Sequence, residues 1–235
     1  MPSRRERVRA ATVEEIKQIA RELLVREGVA GVSLRAIARD MGMTAAALYR
    51  YFPSLESLLA SLCADLYDEC REAMERARDE QLADPGARLY AVCHTFRSWS
   101  VAHPAEFNLM FASPLVGLDD EHNHLDPATM SAHEAGGRFA QTFADLFAAL
   151  WQRAPFPVTA ATDLPPDLVG QLDLFVRQMG VTVPVGAAQL FLSCWIRIYG
   201  HLHFALTDVE PMFEAELAAC ARMLGIDPTP PPAAS

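Results

Sequence analysis

Residues 33–52 (SLRAIARDMGMTAAALYRYF) combine side chains that suit recognition of a nucleic acid. Arg50 offers a planar fork that can donate two hydrogen bonds to a guanine edge, a contact worth about 1–3 kcal/mol of discrimination. Arg35 offers a second such fork, although a solvated surface arginine is the alternative at that position. The alanines at 45–47 can approach a thymine methyl group and let the backbone lie deep in a groove.

Two short helices joined by a tight turn are predicted to position these side chains. We expect Ser33 and Thr44 to be N-caps, because a hydroxyl there accepts a hydrogen bond from a free backbone N–H. We expect Gly42 to end the first helix in the left-handed conformation that glycine adopts without strain. Apolar residues recur with helical spacing at Leu34, Ile37, Ala38, Met41, Leu48 and Phe52. This pattern predicts a helix-turn-helix motif, whose second helix enters the DNA major groove.

A basic segment, residues 2–11, precedes this motif and has arginines but no apolar face. We interpret it as a mobile arm that reaches phosphate or the minor groove, with a disordered, solubilising tail as the alternative. Thr12 and Glu15 are expected to form the capping box of the first helix. Backbone N–H groups at capped helix N-termini and tyrosine hydroxyls can donate hydrogen bonds to phosphate. The predicted DNA-binding residues are Ser33, Arg35, Thr44, Ala45, Ala46, Ala47, Tyr49, Arg50, Tyr51 and Arg5.

The charge of the chain is unevenly distributed. The formal net charge is −10, which taken alone disfavours binding to nucleic acid. Residues 1–52, however, hold ten Arg and Lys against six Asp and Glu, whereas the remainder holds ten against 24. A basic N-terminal part on an acidic body is expected of a DNA-binding protein. The five cysteines form no CxxC pair, and with no recognisable signal peptide we expect a cytoplasmic protein.

The run Gly42-Met43-Thr44, followed by LYRYF at 48–52 and ESLL at 56–59, resembles the DNA-binding domain of TetR-type transcriptional regulators. The resemblance covers about residues 14–62. It implies an all-α fold, with an N-terminal three-helix helix-turn-helix domain joined to a larger helical ligand-binding and dimerisation domain. It also implies a regulator, usually a repressor, that an effector releases from its double-stranded DNA operator by population shift.

The rest of the chain has helical spacing and Pro or Gly punctuation, without strand or hairpin signals. We expect a helix-turn-helix domain with a basic arm at 1–53, an effector-binding and dimerisation domain at 54–226, and a disordered tail at 227–235. Residues 181–206 are largely apolar but carry Arg197 and His201. They therefore predict a buried or dimer-forming helix and no membrane span. The family pairs its last two helices across a two-fold axis, which implies a homodimer.

Residues 195–201 (WIRIYGH), with PPDL at 165–168, resemble a C-terminal domain of some TetR-like regulators that is named for a Trp, His, Gly motif. Tyr199 stands where that motif usually has histidine. The body has more aromatic residues than a plain core requires, so we expect an apolar pocket for a small-molecule effector, with ordinary core packing as the alternative. The predicted pocket residues are Trp99, Phe107, Phe111, Phe143, Phe147, Trp151, Phe175, Trp195 and Tyr199.

The sequence contains no GxSxG, HExxH, Walker or Rossmann motif. We therefore expect no catalytic residues, no cofactor and no enzymatic activity. The acidic, histidine-containing residues 119–133 match no zinc spacing, so no metal site is predicted. A helical enzyme or cofactor carrier and a protein-binding adaptor remain the alternatives. Salt-dependent DNA binding would separate a regulator from both.

Overall fold

The structure, a computed structural model, describes residues 3–81, 84–111, 126–204 and 210–226. In these ranges all regular structure is helical, as the sequence predicted, and no strand occurs. No helix in the described parts of the chain is long and apolar enough to cross a membrane. The α-helices are α1 (Arg4–Glu27), α2 (Leu34–Asp40), α3 (Ala45–Leu48), α4 (Leu55–Asp79), α5 (Pro85–Ala102), α6 (Pro104–Phe111), α7 (Pro127–Arg153), α8 (Pro166–Met179), α9 (Val185–Phe204) and α10 (Glu210–Met223).

The chain divides into two compact units. The first unit comprises Met1–Cys70 and Ala102–Arg138, and the second comprises Arg71–Val101 and Phe139–Ser235. The domain boundary expected after residue 53 stays a prediction. The tail expected from residue 227 lies outside the described residues.

The helix-turn-helix motif forms through the local signals that predicted it. The Ser33 hydroxyl accepts a hydrogen bond from the Ala36 N–H, and the Thr44 hydroxyl accepts one from the Ala47 N–H, each at 3.2 Å. Gly42 has a φ of 64°, a left-handed conformation that any side chain would strain. These contacts confirm both predicted N-caps and the glycine turn between α2 and α3.

The predicted start of the first helix is wrong. Helix α1 begins at Arg4, because Ser3 and Glu6 form a capping box: the Glu6 N–H donates to the Ser3 hydroxyl at 3.2 Å, and the Ser3 N–H donates to the Glu6 carboxylate at 2.6 Å. The Thr12 hydroxyl instead donates to the Val8 carbonyl at 3.0 Å, within the helix. Residues 4–11 of the basic segment are therefore helical and do not form the mobile arm or disordered tail that the sequence suggested. The absence of an apolar stripe does not exclude a helix here, because the exposed first turns of α1 are stabilised by the cap and by continuity with the packed part of the helix.

A cluster of charged side chains joins three helices of the first unit. The Arg21 guanidinium of α1 donates two hydrogen bonds to the Glu69 carboxylate of α4, at 2.6 and 3.2 Å, and one to the Glu106 carboxylate of α6, at 3.1 Å. The Glu106 side chain is only 4% exposed. The hydrogen bonds to Glu69 are the main reason why the pKa of Arg21 is raised. This arginine therefore neutralises a carboxylate that water cannot reach.

Aromatic contacts complete the packing of α4 against α6 in the first unit. The Tyr67 hydroxyl donates to the Met110 carbonyl at 2.9 Å, and its ring meets Phe111 edge to face at 5.6 Å. Phe107 and Phe111 lie 4.9 Å apart, ring centre to ring centre. These two phenylalanines consequently belong to the interior of the first unit.

Helices α5, α7 and α9 of the second unit share an aromatic core. Trp195 stacks on Phe96 at 5.9 Å and meets Phe143 edge to face at 5.3 Å, and Phe96 contacts Phe139 at 5.2 Å. Edge-to-face and offset aromatic pairs add about 0.5–1.5 kcal/mol beyond the burial of their area. Helix α8 packs on α9 through a separate small cluster that includes Leu164, Leu172 and Ala188.

Replacing Arg21 with methionine is expected to lower the free energy of unfolding by about 3 kcal/mol, because it leaves the buried Glu106 carboxylate without its guanidinium partner. Urea denaturation followed by circular dichroism measures this change. The matched control is Arg26→Met, which removes an exposed ion pair with Glu27 and should cost about 0–1 kcal/mol. Adding Glu106→Gln to Arg21→Met should recover part of the loss. An equal loss of unfolding free energy in Arg21→Met and Arg26→Met would contradict the role of Arg21 as the partner of the buried Glu106 carboxylate.

Candidate DNA-binding surface and apolar cavity

Six of the ten predicted DNA-contacting residues are exposed, five of them on the helix-turn-helix motif and one, Arg5, on α1. Helix α3 is short, but helical hydrogen bonds continue beyond Leu48. The Tyr49 N–H donates to the Ala45 carbonyl and the Phe52 N–H donates to the Leu48 carbonyl, both at 3.1 Å. Leu48 and Phe52 are buried, whereas Tyr49 is 52% exposed. The exposed members of the predicted set are Arg5, Arg35, Thr44, Ala46, Tyr49 and Arg50; Ser33, Ala45, Ala47 and Tyr51 are half-buried.

Arg9 joins α1 to the end of this surface, a contact that the sequence did not single out. Its guanidinium carbon lies 5.1 Å from the centre of the Tyr51 ring, and its Nη2 donates to the Arg50 carbonyl at 3.4 Å. A helix that starts at Arg4 places Arg5 and Arg9 four residues apart on one face. The Ser3–Glu6 capping box was the sequence signal that could have predicted this arrangement.

An apolar cavity lies inside the second unit, between α5, α7, α9 and α10. Its water-accessible volume is about 50 Å³. It is lined by Leu89, Tyr90, Cys93, Phe143, Phe147, Phe191, Cys194, Trp195, Ile198, Leu217, Cys220, Ala221, Leu224 and Ile226. Almost all of this lining is hydrocarbon, aromatic ring or sulfur, so the cavity suits an apolar group.

Only some of the predicted pocket residues line this cavity. Phe143, Phe147 and Trp195 do so. Near them, Tyr199 stacks on Trp195 at 6.1 Å, Trp151 meets Phe156 at 5.0 Å, and Phe175 contacts Phe191 at 6.1 Å. Trp99 is buried in the second unit, whereas Phe107 and Phe111 lie in the first.

Three cysteines of the lining were not among the predicted pocket residues, because cysteine at helical spacing is typical of an ordinary core. Cys93, Cys194 and Cys220 come from α5, α9 and α10. Interaction with Cys220 and burial raise the pKa of Cys194, whereas interaction with Cys194 lowers that of Cys220. Burial raises the pKa of Cys93 to about 12.

Within the described ranges, no group of three or more His, Cys, Asp or Glu side chains could hold a metal ion. Residues 119–124 of the acidic, histidine-containing stretch lie outside those ranges. Asp126 is described and caps α7, since its carboxylate accepts hydrogen bonds from the Ala128 and Thr129 N–H groups at 2.8 and 3.1 Å. The His133 Nδ1 lies 3.4 Å from the Thr129 carbonyl. Both residues thus have local roles in α7.

A capped, glycine-turned helix pair with exposed side chains at its second helix defines a helix-turn-helix protein, and comparison with known proteins gives its family. Residues 16–62 match the family model described as bacterial regulatory proteins of the tetR family. Residues 89–224, more than half of the chain, match the model described as a tetracyclin repressor-like C-terminal domain. The chain belongs to the TetR family, whose members are transcriptional regulators and not enzymes. The narrower resemblance to the Trp-His-Gly type of domain stays a prediction.

Curated relatives agree with this assignment. Over 114 residues the chain is 40% identical to the HTH-type transcriptional regulators Rv1816 of Mycobacterium tuberculosis and Mb1846 of Mycobacterium bovis. The match covers 48% of this chain and 47% of each relative. The chain thus spans about half the length of the curated relatives it matches.

Solved structures share the fold over nearly the whole chain. SCO4313, described as a candidate regulatory protein, has 27% identity and a TM-score of 0.68 over 94% of this chain and 98% of its own. Thermus thermophilus FadR, a TetR-family repressor in complex with lauroyl-CoA, has 16% identity and a TM-score of 0.54 over 90% and 92%. RolR in complex with resorcinol has 15% identity and a TM-score of 0.57 over 94% and 90%.

The contact between Arg9 and Tyr51 is expected to appear as a coupling energy of about 0.5–1 kcal/mol in a double-mutant cycle of Arg9→Gln and Tyr51→Leu, because a partly exposed cation–π pair has this strength. Urea denaturation of the four proteins measures it. Arg5→Gln, one helical turn earlier, is the matched control and should show no coupling to Tyr51→Leu. Coupling for Arg5 and none for Arg9 would contradict the geometry.

Proposed function

We propose that this protein is a ligand-responsive, DNA-binding transcriptional regulator, a repressor that a small, largely apolar effector releases from its operator. The observation that carries the proposal is a set of exposed polar and basic side chains on the helix-turn-helix motif of one unit and an apolar cavity in the other. A regulator needs both, since binding of the effector must change the affinity of a distinct site for DNA.

Direct readout of DNA is assigned to the motif formed by α2 and α3. Arg50 is exposed beside Tyr49, and we propose that it contacts a guanine edge, while Arg35 is the second candidate for base contact. The remaining residues of the predicted set, Arg5 included, are proposed to contact phosphate or to let the backbone approach the groove. Arg9 is proposed to hold the end of the motif through Tyr51 and the Arg50 carbonyl.

The effector is assigned to the cavity of the second unit. FadR and RolR, which share the fold, were solved with lauroyl-CoA and resorcinol, ligands that carry an acyl chain and an aromatic ring. The cavity here has a water-accessible volume of about 50 Å³. Sites for small molecules measure roughly 300–1,000 Å³. Binding would therefore require the lining helices to move apart, and the effector shifts the population toward the wider state by its differential affinity.

A homodimer through the last two helices is the proposed assembly. Ile196 on α9 is 66% exposed and Met212 on α10 is 57% exposed in the single chain. Large apolar side chains on both helices are consistent with burial against a second copy. A two-fold dimer would present two recognition surfaces to two half-sites of an operator. The odd number of cysteines, five, supports action in a reducing cytoplasm.

The test of DNA recognition is a fluorescence-anisotropy titration of the purified protein against the DNA just upstream of its own gene, beside a scrambled duplex, at two salt concentrations. Tight binding to the native duplex that weakens steeply with salt supports an operator-specific regulator. No binding to either duplex at low salt would overturn the proposal. It would favour a protein-binding adaptor or a helical enzyme.

In the same assay, Arg50→Ala should weaken binding to the native duplex by about 1–3 kcal/mol and relax preference for one base pair, because a bidentate guanine contact is lost. Arg26→Ala is the matched control: it is exposed near the end of α1, outside the predicted set, and should leave specificity unchanged. Equal weakening against native and scrambled DNA would show that Arg50 contacts phosphate only.

Filling the cavity should separate ligand binding from DNA binding. Leu217→Phe adds bulk to the lining from α10 and should raise the Kd for anilinonaphthalene sulfonate, a fluorescent probe with apolar rings and one sulfonate, about tenfold, which is about 1.4 kcal/mol, while binding to the native duplex persists. Leu174→Phe, on an exposed part of α8, is the matched control. An unchanged Kd in Leu217→Phe would place the ligand elsewhere.

A further inference from the structure

A second cavity lies in the second unit, where the start of α5 meets the ends of α7 and α10. Its water-accessible volume is about 370 Å³. Sites for small molecules measure roughly 300–1,000 Å³, so this cavity is large enough for a compact ligand as it stands. This ion-pair cavity is lined by Asp84, Gly86, Ala87, Tyr90, Leu150, Arg153, Ala154, Leu224, Gly225 and Ile226.

The apolar part of the lining is held by local backbone structure. Helix α10 is followed by Gly225 at a φ of 67°, and the Ile226 N–H then donates back to the last turn of α10 at 2.9 Å. The start of α5 packs closely on this turn, since a Cβ on Gly86 would come within 2.9 Å of the Ile226 Cγ2. Leu150 and Leu224 are buried beside the cavity. The cavity therefore has a preformed hydrocarbon surface.

An ion pair supplies the charge of this cavity. The Arg153 Nη1 donates to the Asp84 Oδ1, and the Asp84 Oδ2 accepts a hydrogen bond from the Ala87 N–H at 3.0 Å, which caps α5. Both carboxylate oxygens are thus engaged. Among the residues that the structure describes, Asp84 is the only hydrogen-bond partner of Arg153, whose guanidinium carries five N–H donors. The spare hydrogen-bonding capacity here is therefore mainly that of donors on a positive charge.

We propose that the ion-pair cavity binds a compact carboxylic acid. The planar guanidinium of Arg153 donates to the ligand's carboxylate, a geometry that allows two parallel hydrogen bonds. The hydrocarbon body of the ligand packs on Leu150, Leu224 and Ile226. The side chains of Arg153 and Asp84 are 59% and 48% exposed, so their ion pair is weak enough for a ligand to compete with it.

The ion-pair cavity shares part of its lining with the apolar cavity. Tyr90, Leu224 and Ile226 line both. A carboxylic acid bound at Arg153 would therefore contact the wall of the proposed effector site. Any effect of this acid on DNA affinity rests on the proposed function, whereas its binding does not.

The test is a ligand-observed NMR titration of the full-length protein with 4-ethylbenzoate, beside the neutral isostere 4-ethylbenzamide. The acid should bind about tenfold more tightly than the amide, because hydrogen bonds between two charged groups are stronger than those to a neutral carbonyl. Equal affinities, or no binding of the acid in the millimolar range, would overturn the proposal.

Two substitutions of the ion pair should act in opposite directions. Arg153→Met should weaken binding of the acid about tenfold and leave the amide unchanged, because the charged donors are lost. Asp84→Asn should strengthen binding of the acid about threefold, because it removes a competing carboxylate while asparagine can still cap α5. Arg177→Met is the matched control, since it removes an exposed ion pair with Asp173 on α8 outside the lining.

Two further variants identify which cavity is occupied. Ala87→Leu adds bulk to the ion-pair cavity and should weaken binding of both the acid and the amide. Leu217→Phe narrows the apolar cavity alone and should leave the affinity for the acid unchanged. Circular dichroism of each variant checks that it is folded.

An equal effect of Arg153→Met and Arg177→Met, or weaker binding of the acid by Asp84→Asn, would overturn the proposal. An acid that binds as expected but leaves the affinity for the native duplex unchanged would confirm the site and contradict only its role as an effector site. Failure of the unchanged protein to bind any DNA would count against the proposed function, and the NMR titration would still decide whether the acid binds at Arg153.

Discussion

The constraint on which the first unit depends is the buried carboxylate of Glu106. A charged group that water cannot reach is costly unless it is paired and hydrogen-bonded. Arg21 meets this need and contacts Glu69 at the same time, so one guanidinium fixes where α1, α4 and α6 meet. Helix α1 also carries Arg9, which contacts the recognition segment. Helix α1 therefore connects the pairing of the buried Glu106 carboxylate to the position of the segment that contains Tyr51.

Local signals explain why the helix-turn-helix motif could be predicted. Ser33, Gly42 and Thr44 act through hydrogen bonds and backbone conformation within a few residues of themselves. The start of α1 could not be found from apolar spacing, because its first turns are exposed and held by the Ser3–Glu6 cap. Ser3 and Glu6 do have the spacing of a capping box in the sequence, but no apolar stripe accompanies it to indicate a helix.

The cavity was only partly predictable because its lining depends on packing between helices that are distant in the chain. Aromatic spacing identified Phe143 and Trp195, which do line it. The same spacing selected Phe107 and Phe111, which pack in the first unit instead. A helix pattern shows that a side chain is apolar, but not which partner it meets. For the same reason, the sequence did not distinguish Cys93, Cys194 and Cys220, which line the cavity, from Cys63, which does not.

The small size of the cavity limits how the proposed effector could act. A ligand of ordinary size must separate the lining helices. Two of these helices, α9 and α10, are also the pair proposed to form the dimer. A reversible ligand contributes only its differential affinity for the two states. Its apparent affinity is therefore lowered by the free energy that opening the cavity requires, and the same opening is what would reach the dimer interface.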